Sequence, residues 1–113
     1  MASDHLLEER ARMADLLGIY GKLLTEKQST IASAYYLYDL SLSEIAEQEG
    51  ISRAGVSDAL NKASEHLEHY EKCLCLLSRS EHIKTMLRAI RDLPESERLA
   101  AYEKLGKELD NGI

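Results

Sequence analysis

The sequence predicts an all-α fold built around a helix-turn-helix, and three observations carry that prediction. Apolar residues recur at steps of three and four along nearly all of the 113 residues. Helix-start signatures of the form Ser/Thr-x-x-Glu/Gln stand at Thr25, Ser41 and Ser78. Between Ser41 and Leu60, a capping residue, a glycine turn and a second capping residue follow one another within twenty residues. No stretch alternates apolar and polar residues as a half-buried strand would.

The first element spans Asp4 to Leu24, with Leu6, Leu7, Met13, Leu16, Leu17, Tyr20, Leu23 and Leu24 on its apolar stripe. Gly18 and Gly21 are poor helix formers, and their expected role is close approach by another helix. Thr25 and Gln28 form a capping box that opens a helix running to about Tyr38, with Ile31, Ala34, Tyr35 and Tyr38 inward and Tyr36 and Leu37 widening the stripe. Aromatic residues at this spacing read as core rather than as a base-stacking platform. Asp39-Leu40 connects to the next element.

Ser41 and Glu44 form the second capping box, and Leu42, Ile45 and Ala46 then share one face. Gly50 ends this helix in the left-handed conformation, Ile51 plugs the corner and Ser52 caps the next helix. Val56, Leu60, Ala63, Leu67, Tyr70, Leu74 and Leu77 continue one stripe, so the spacing predicts a single helix from Ser52 to Leu77, roughly 39 Å long. Ser78 and Glu81 start a further helix through Ile83, Met86, Leu87 and Ile90. Asp92-Leu-Pro-Glu95 opens the last one, with Leu99, Tyr102, Leu105 and Leu109 as its seam. The expected organisation is a helix-turn-helix domain over residues 1–77 and a helical extension over 78–113. The extension cannot build its own core, so it packs on the domain or on a second copy, and a homodimer is expected.

A helix starting at Ser52 and lying in a DNA major groove would turn Ser52, Arg53, Ala54, Ser57, Asn61 and Lys62 toward the bases and phosphates. Arg53 suits guanine, Asn61 suits adenine, and serine hydroxyls suit phosphate. The opposing consideration is charge. Ser41 to Lys62 holds two cations and four anions, and the whole chain carries a net −6, whereas phosphate neutralisation dominates non-specific DNA affinity. The alternative is a three-helix packing unit with no nucleic-acid role. From Arg79 to Arg91 four cations meet one anion, and Lys84, Arg88 and Arg91 share a face. This second basic face is a solvated surface or a contact for RNA, DNA or an acidic protein.

Other classes are set aside. The carboxylates lack a paired base, no Ser/His/Asp or Cys/His arrangement is discernible, and no phosphate loop follows a strand, so no enzyme and no cofactor are expected. His5, His66, His69 and His82 offer no nucleophile partner. Cys73 and Cys75 lie about 200° apart on a helix and cannot bond to each other, and at least one is expected to pack inward. His66, His69 and Cys73 share a stripe, but one helix seldom supplies three zinc ligands, so no metal is expected. The N-terminal residues lack a signal-peptide pattern and no apolar run spans a bilayer. No membrane partner and a cytoplasmic location follow as expectations.

The segments Tyr20-Gly-Lys-Leu-Leu-Thr-Glu-Lys-Gln28, Tyr35-Tyr36, Asp39-Leu-Ser-Leu-Ser-Glu-Ile-Ala46, Ile51-Ser-Arg53, Val56, Asp58 and Leu67 with Tyr70-Glu71 closely resemble the YlxM family of small bacterial proteins. That family looks in turn like region 4 of RNA polymerase sigma factors. The resemblance covers about residues 16 to 77 and implies a sigma-like helix-turn-helix bundle without a wing. It also implies a DNA-binding regulator encoded beside the signal recognition particle genes and acting in that pathway. The alternative partner is the particle's own protein or RNA, bound by an adaptor that reads no DNA sequence. One departure stands at Gly55, where members often carry glutamine; its absence removes an amide suited to reading adenine.

Overall fold

Six α-helices and one short 3-10 turn follow one another in the computed structural model, which describes residues 2–112, with side chains from residue 6. No strand occurs among the described residues. The side chain of His5 lies outside them. The chain forms two compact units, Met1–Cys75 and Leu76–Ile113.

In the first unit, α1 (Ala2–Tyr20), α2 (Glu26–Tyr36) and α3 (Leu42–Glu49) pack around α4 (Arg53–Leu74). The largest fully buried side chains are Leu16 and Tyr20 from α1, Ile31 from α2, Ile45 from α3, and Val56 and Leu67 from α4. Every helix of the unit therefore contributes to one core. Polar ties set α1 on this core. Arg12 makes two hydrogen bonds to Glu68, at 2.8 and 2.9 Å. The Tyr20 hydroxyl donates to Glu71 Oε1 at 2.7 Å, with both residues buried. Arg10 donates to the Tyr35 carbonyl at 2.7 Å and to Asp39 Oδ1 at 2.8 Å, with its guanidinium 4.6 Å from the Tyr35 ring centre.

Several expected boundaries move. The first helix stops at Tyr20, and Gly21–Leu23 turns as a 3-10 helix before Leu24 becomes extended. A glycine there loosens the helix just where the chain must swing into the Thr25 cap. Leu6, Leu7 and Leu23 are exposed rather than in the core. Gly18 has no atom within 4 Å of where a Cβ would stand, so no helix approaches it closely. The Thr25–Gln28 capping box forms as the spacing predicts. That helix ends at Tyr36, however, and Tyr38 is 71% exposed rather than inward. Asp39 adopts φ +57°, which no helix continues through, and Arg10 holds it there. Ala32, which the stripe did not include, is fully buried.

The long helix also ends early. Cys75 takes φ +55° and its N–H closes on the Glu71 carbonyl, so α4 stops at Leu74 and spans about 33 Å. Its neighbour α5 (Leu76–Arg91) begins at Leu76, ahead of the Ser78–Glu81 box. Both cysteines are exposed and free, so neither packs inward. A three-residue link leads to α6 (Glu95–Asp110), with Pro94 at its N-cap. Within this second unit α5 and α6 form a hairpin, and Met86, Ala89 and Ile90 line one shallow cleft with Ala101, Leu105 and Glu108. The expected α6 seam is therefore divided: Leu105 is buried, while Leu99, Tyr102 and Leu109 are exposed. A single partner helix covers only one side of α6.

Tyr36, half-buried at the end of α2, meets Tyr35 edge to face at 5.0 Å. Loss of solvent, then Tyr35 and Glu9, push its phenol above the ordinary tyrosine value of 10.0, against the lowering effect of Arg10. The folded state thus holds this proton more tightly than the unfolded chain does. Its contribution to stability is complete below pH 10 and declines as pH rises through the folded value. In an ultraviolet pH titration the native protein will show one tyrosine ionising later than in the Tyr36→Phe variant.

Candidate nucleic-acid interface

The interface is built by local rules acting between Ser41 and Ser57. The Ser41 hydroxyl accepts from the Glu44 N–H at 3.1 Å and the Glu44 carboxylate accepts from the Ser41 N–H at 3.2 Å, closing the capping box at the start of α3. Gly50 adopts φ +67° and ψ +33°, and the Ile51 N–H returns to the Ala46 carbonyl at 3.1 Å. The Ser52 hydroxyl then accepts from the Gly55 N–H at 2.9 Å, and α4 begins at Arg53. Ile45 and Ala46 from α3 and Val56 and Leu60 from α4 are buried, which fixes the roll of both helices. A Cβ at position 55 would stand 3.2 Å from the Ser52 hydroxyl oxygen, a tight contact. Glycine at this position leaves the cap unstrained.

The roll of α4 decides which side chains point outward. Ser52, Arg53, Ala54, Asn61 and Lys62 are exposed, and Ser57 is half-buried. No ion pair to Arg53 occurs among the described residues, so its guanidinium meets solvent. Lys62 is different: its Nζ lies 3.1 Å from Asp58 Oδ2, one turn back on the same helix. Asp58 therefore offsets the second cation of the candidate face. At 100° per residue the middle of the outward face is marked by Ala54, Asp58, Asn61 and Glu65. Glu65 is the residue missed by the sequence reading, although it lies seven residues after Asp58 on one stripe. The unit Met1–Cys75 contains seven Lys and Arg against thirteen Asp and Glu, so it carries the whole net −6 of the chain.

The second basic face belongs to the other unit. Lys84, Arg88 and Arg91 are all exposed on α5, and the Arg91 carbonyl accepts from Arg98 at 3.3 Å. No cluster of three or more His, Cys, Asp or Glu suited to a metal occurs among the described residues, and His69 Nε2 lies 3.8 Å from Cys73 Sγ. No described helix is long and apolar enough to cross a membrane.

Comparison with known families agrees with this geometry. Residues 7–107 match the family described as "Putative helix-turn-helix protein, YlxM / p13 like", UPF0122. The chain belongs to the UPF0122 family. It is 43% identical over 90 residues to a UPF0122 protein of Clostridium kluyveri, covering 80% of this chain and 81% of that one. It is 42% identical over 104 residues to a UPF0122 protein of Bacillus licheniformis, covering 88% and 97%. With the UPF0122 protein YlxM of Bacillus subtilis it shares 38% identity over 108 residues, covering 92% and 98%. The match extends over both helical units, beyond the sigma-like segment that carried the sequence resemblance.

The turn itself can be probed through its glycine. Nothing lies within 4 Å of a Cβ at Gly50, so Gly50→Ala adds only the left-handed backbone penalty. Urea unfolding will show a loss of about 1–2 kcal/mol, read as a lower midpoint at unchanged slope.

Proposed function

We propose that this UPF0122 protein is a dimeric DNA-binding regulator that reads sequence with the first three turns of α4. The observation that carries the reading is the placement of Arg53. It is the first residue of α4, exposed, directly after a fully formed glycine turn and serine cap. That is where helix-turn-helix proteins place base-contacting side chains. Arg53 pairs with guanine, Asn61 with adenine, and Ser52 and Ser57 with phosphate oxygens. The acidity of the unit shapes the energetics: few phosphates are neutralised, so non-specific affinity is low and base contacts carry most of the discrimination. Two copies offer two reading helices to successive turns of the groove, which compensates for the small contact made by each.

Fluorescence anisotropy with duplex from the promoter upstream of the protein's own gene tests this reading. Arg53→Ala will weaken binding about tenfold or more, the value of one good bidentate base contact. Asp58→Asn will strengthen it several-fold, because it removes an anion from the outward face and releases Lys62. The plot of log affinity against log salt will have a slope of about −4 or shallower, for two cations on each of two reading helices. Absence of binding at low ionic strength, or full binding by Arg53→Ala, overturns the proposal.

A second reading is favoured by the charge of α5, where four cations stand against one anion in Leu76–Arg91. In it the protein is an adaptor whose Lys84, Arg88 and Arg91 hold the signal recognition particle, through its RNA or its protein. Pull-down with purified particle components tests it. The Lys84→Glu/Arg88→Glu/Arg91→Glu variant will recover less RNA than wild type while keeping the wild-type helical circular dichroism; equal recovery removes this reading.

A further inference from the structure

Charge and apolar surface on the α5–α6 hairpin are arranged in a way the fold of one chain does not use. Leu99, Tyr102, Gly106 and Leu109 fall at steps of three, four and three on α6, and the three large side chains are 69%, 49% and 41% exposed. No atom lies within 4 Å of a Cβ built at Gly106. A glycine in mid-helix costs about 1 kcal/mol relative to alanine, and nothing in its own chain requires it. On α5, Leu87 is 39% exposed beside Lys84, Arg88 and Arg91. The charges are segregated: α5 holds four cations and one anion, α6 three cations and five anions.

Both features lie on one side of the hairpin. At 100° per residue, the Leu87–Lys84–Arg88–Arg91 surface is displaced about 130° from Met86 and Ile90, which line the cleft toward α6. The α6 stripe is displaced by about 120° in the same rotational sense from Ala101, Leu105 and Glu108, which line it toward α5. Because the two helices run antiparallel, equal rotations bring both surfaces to the same side. The hairpin thus presents one continuous face, apolar along its middle, basic on the α5 edge and acidic (Glu103, Asp110) on the α6 edge.

We propose that this face binds a second copy of the chain, α5 of one copy lying along α6 of the other in an antiparallel four-helix bundle. The inference rests on the dimeric part of the reading above and not on DNA binding. Charge selects this arrangement over the two alternatives: α5 on α5 opposes three cations to three, and α6 on α6 opposes Glu103 and Asp110 to themselves. A two-fold axis parallel to the helices places α5 of the second copy beside α6. Met86 and Ile90 share a cleft with Ala101, Leu105 and Glu108, and the same register in the second copy brings its Leu87 near Gly106, between Tyr102 and Leu109. The same register sets its Lys84 level with Asp110 and its Arg91 level with Glu103. A side chain enters the space above the glycine, and oppositely charged residues flank it, as in other helical bundles.

Sedimentation equilibrium of the full chain, without nucleic acid, tests the proposal. Wild type will be a dimer whose association weakens with added salt. Lys84→Glu/Arg91→Glu and Glu103→Lys/Asp110→Lys will each raise the dimer dissociation constant about tenfold or more, and combining all four will restore it to within about threefold of wild type. Gly106→Leu, which strengthens the helix of the isolated chain, will also weaken the dimer by filling the slot. A wild-type monomer, which would leave the face to a different protein, overturns the proposal. So does a dimer indifferent to these changes, or charge variants that fail to rescue one another. A monomer that still binds the promoter duplex would separate this failure from that of the DNA reading.

Discussion

The left-handed backbone at Gly50 is the constraint on which the first unit depends. With φ at +67°, the Ile51 N–H can reach the Ala46 carbonyl, and the chain leaves α3 in the direction that lets Ser52 cap α4. An L side chain at this point would strain the turn. This bend lets Ile45 of α3 and Val56 of α4 both enter the core, which turns the opposite side of α4 to solvent. Arg53 shares the side of Val56 and Leu60, and it meets solvent because the bend makes it the first residue of α4.

The second organising feature is that α4 serves two purposes along its length. Its first turns carry the outward face of the helix-turn-helix, while its last turns anchor α1 through Glu68 and Glu71. These ties are not equivalent. The Arg12–Glu68 pair is half-exposed and contributes at most about 1 kcal/mol. The Tyr20–Glu71 hydrogen bond is buried, so losing either group exposes the other to a desolvation penalty of about 1–3 kcal/mol. Arg10 adds a third tie, to the Tyr35 carbonyl and to Asp39 in the connection between α2 and α3. The first helix is therefore a brace across both ends of the motif.

What could be read from the sequence was what is decided within four residues. The Thr25 and Ser41 boxes, the Gly50 turn and the Ser52 cap depend only on near neighbours, and each stands where its residues predict. Helix ends at Tyr36 and Leu74 were not legible, because the left-handed residues that follow, Asp39 and Cys75, carry no glycine signal. Periodicity identified the apolar stripes but not which stripe a neighbour covers; hence Leu105 is buried while Leu99 and Tyr102 on the same helix are not. At the candidate interface, the rotation of α4 was legible and places Asn61 and Lys62 outward, while Arg53, on the side of Val56 and Leu60, is exposed because it opens the helix. The Asp58–Lys62 pair was written in its four-residue spacing, and Glu65 in the seven-residue spacing after Asp58. The anions of this segment were legible as a count, whereas the pairing of Asp58 with Lys62 depends on side-chain placement.

The buried Tyr20–Glu71 bond has an optical consequence. The chain contains six tyrosines and neither tryptophan nor phenylalanine, so its near-ultraviolet emission comes from phenol rings alone. A carboxylate hydrogen-bonded to a tyrosine hydroxyl quenches that ring's fluorescence. Emission from Tyr20 will therefore be weaker while α1 is seated than once it lifts away, so the intact protein can report on its own brace with no label attached.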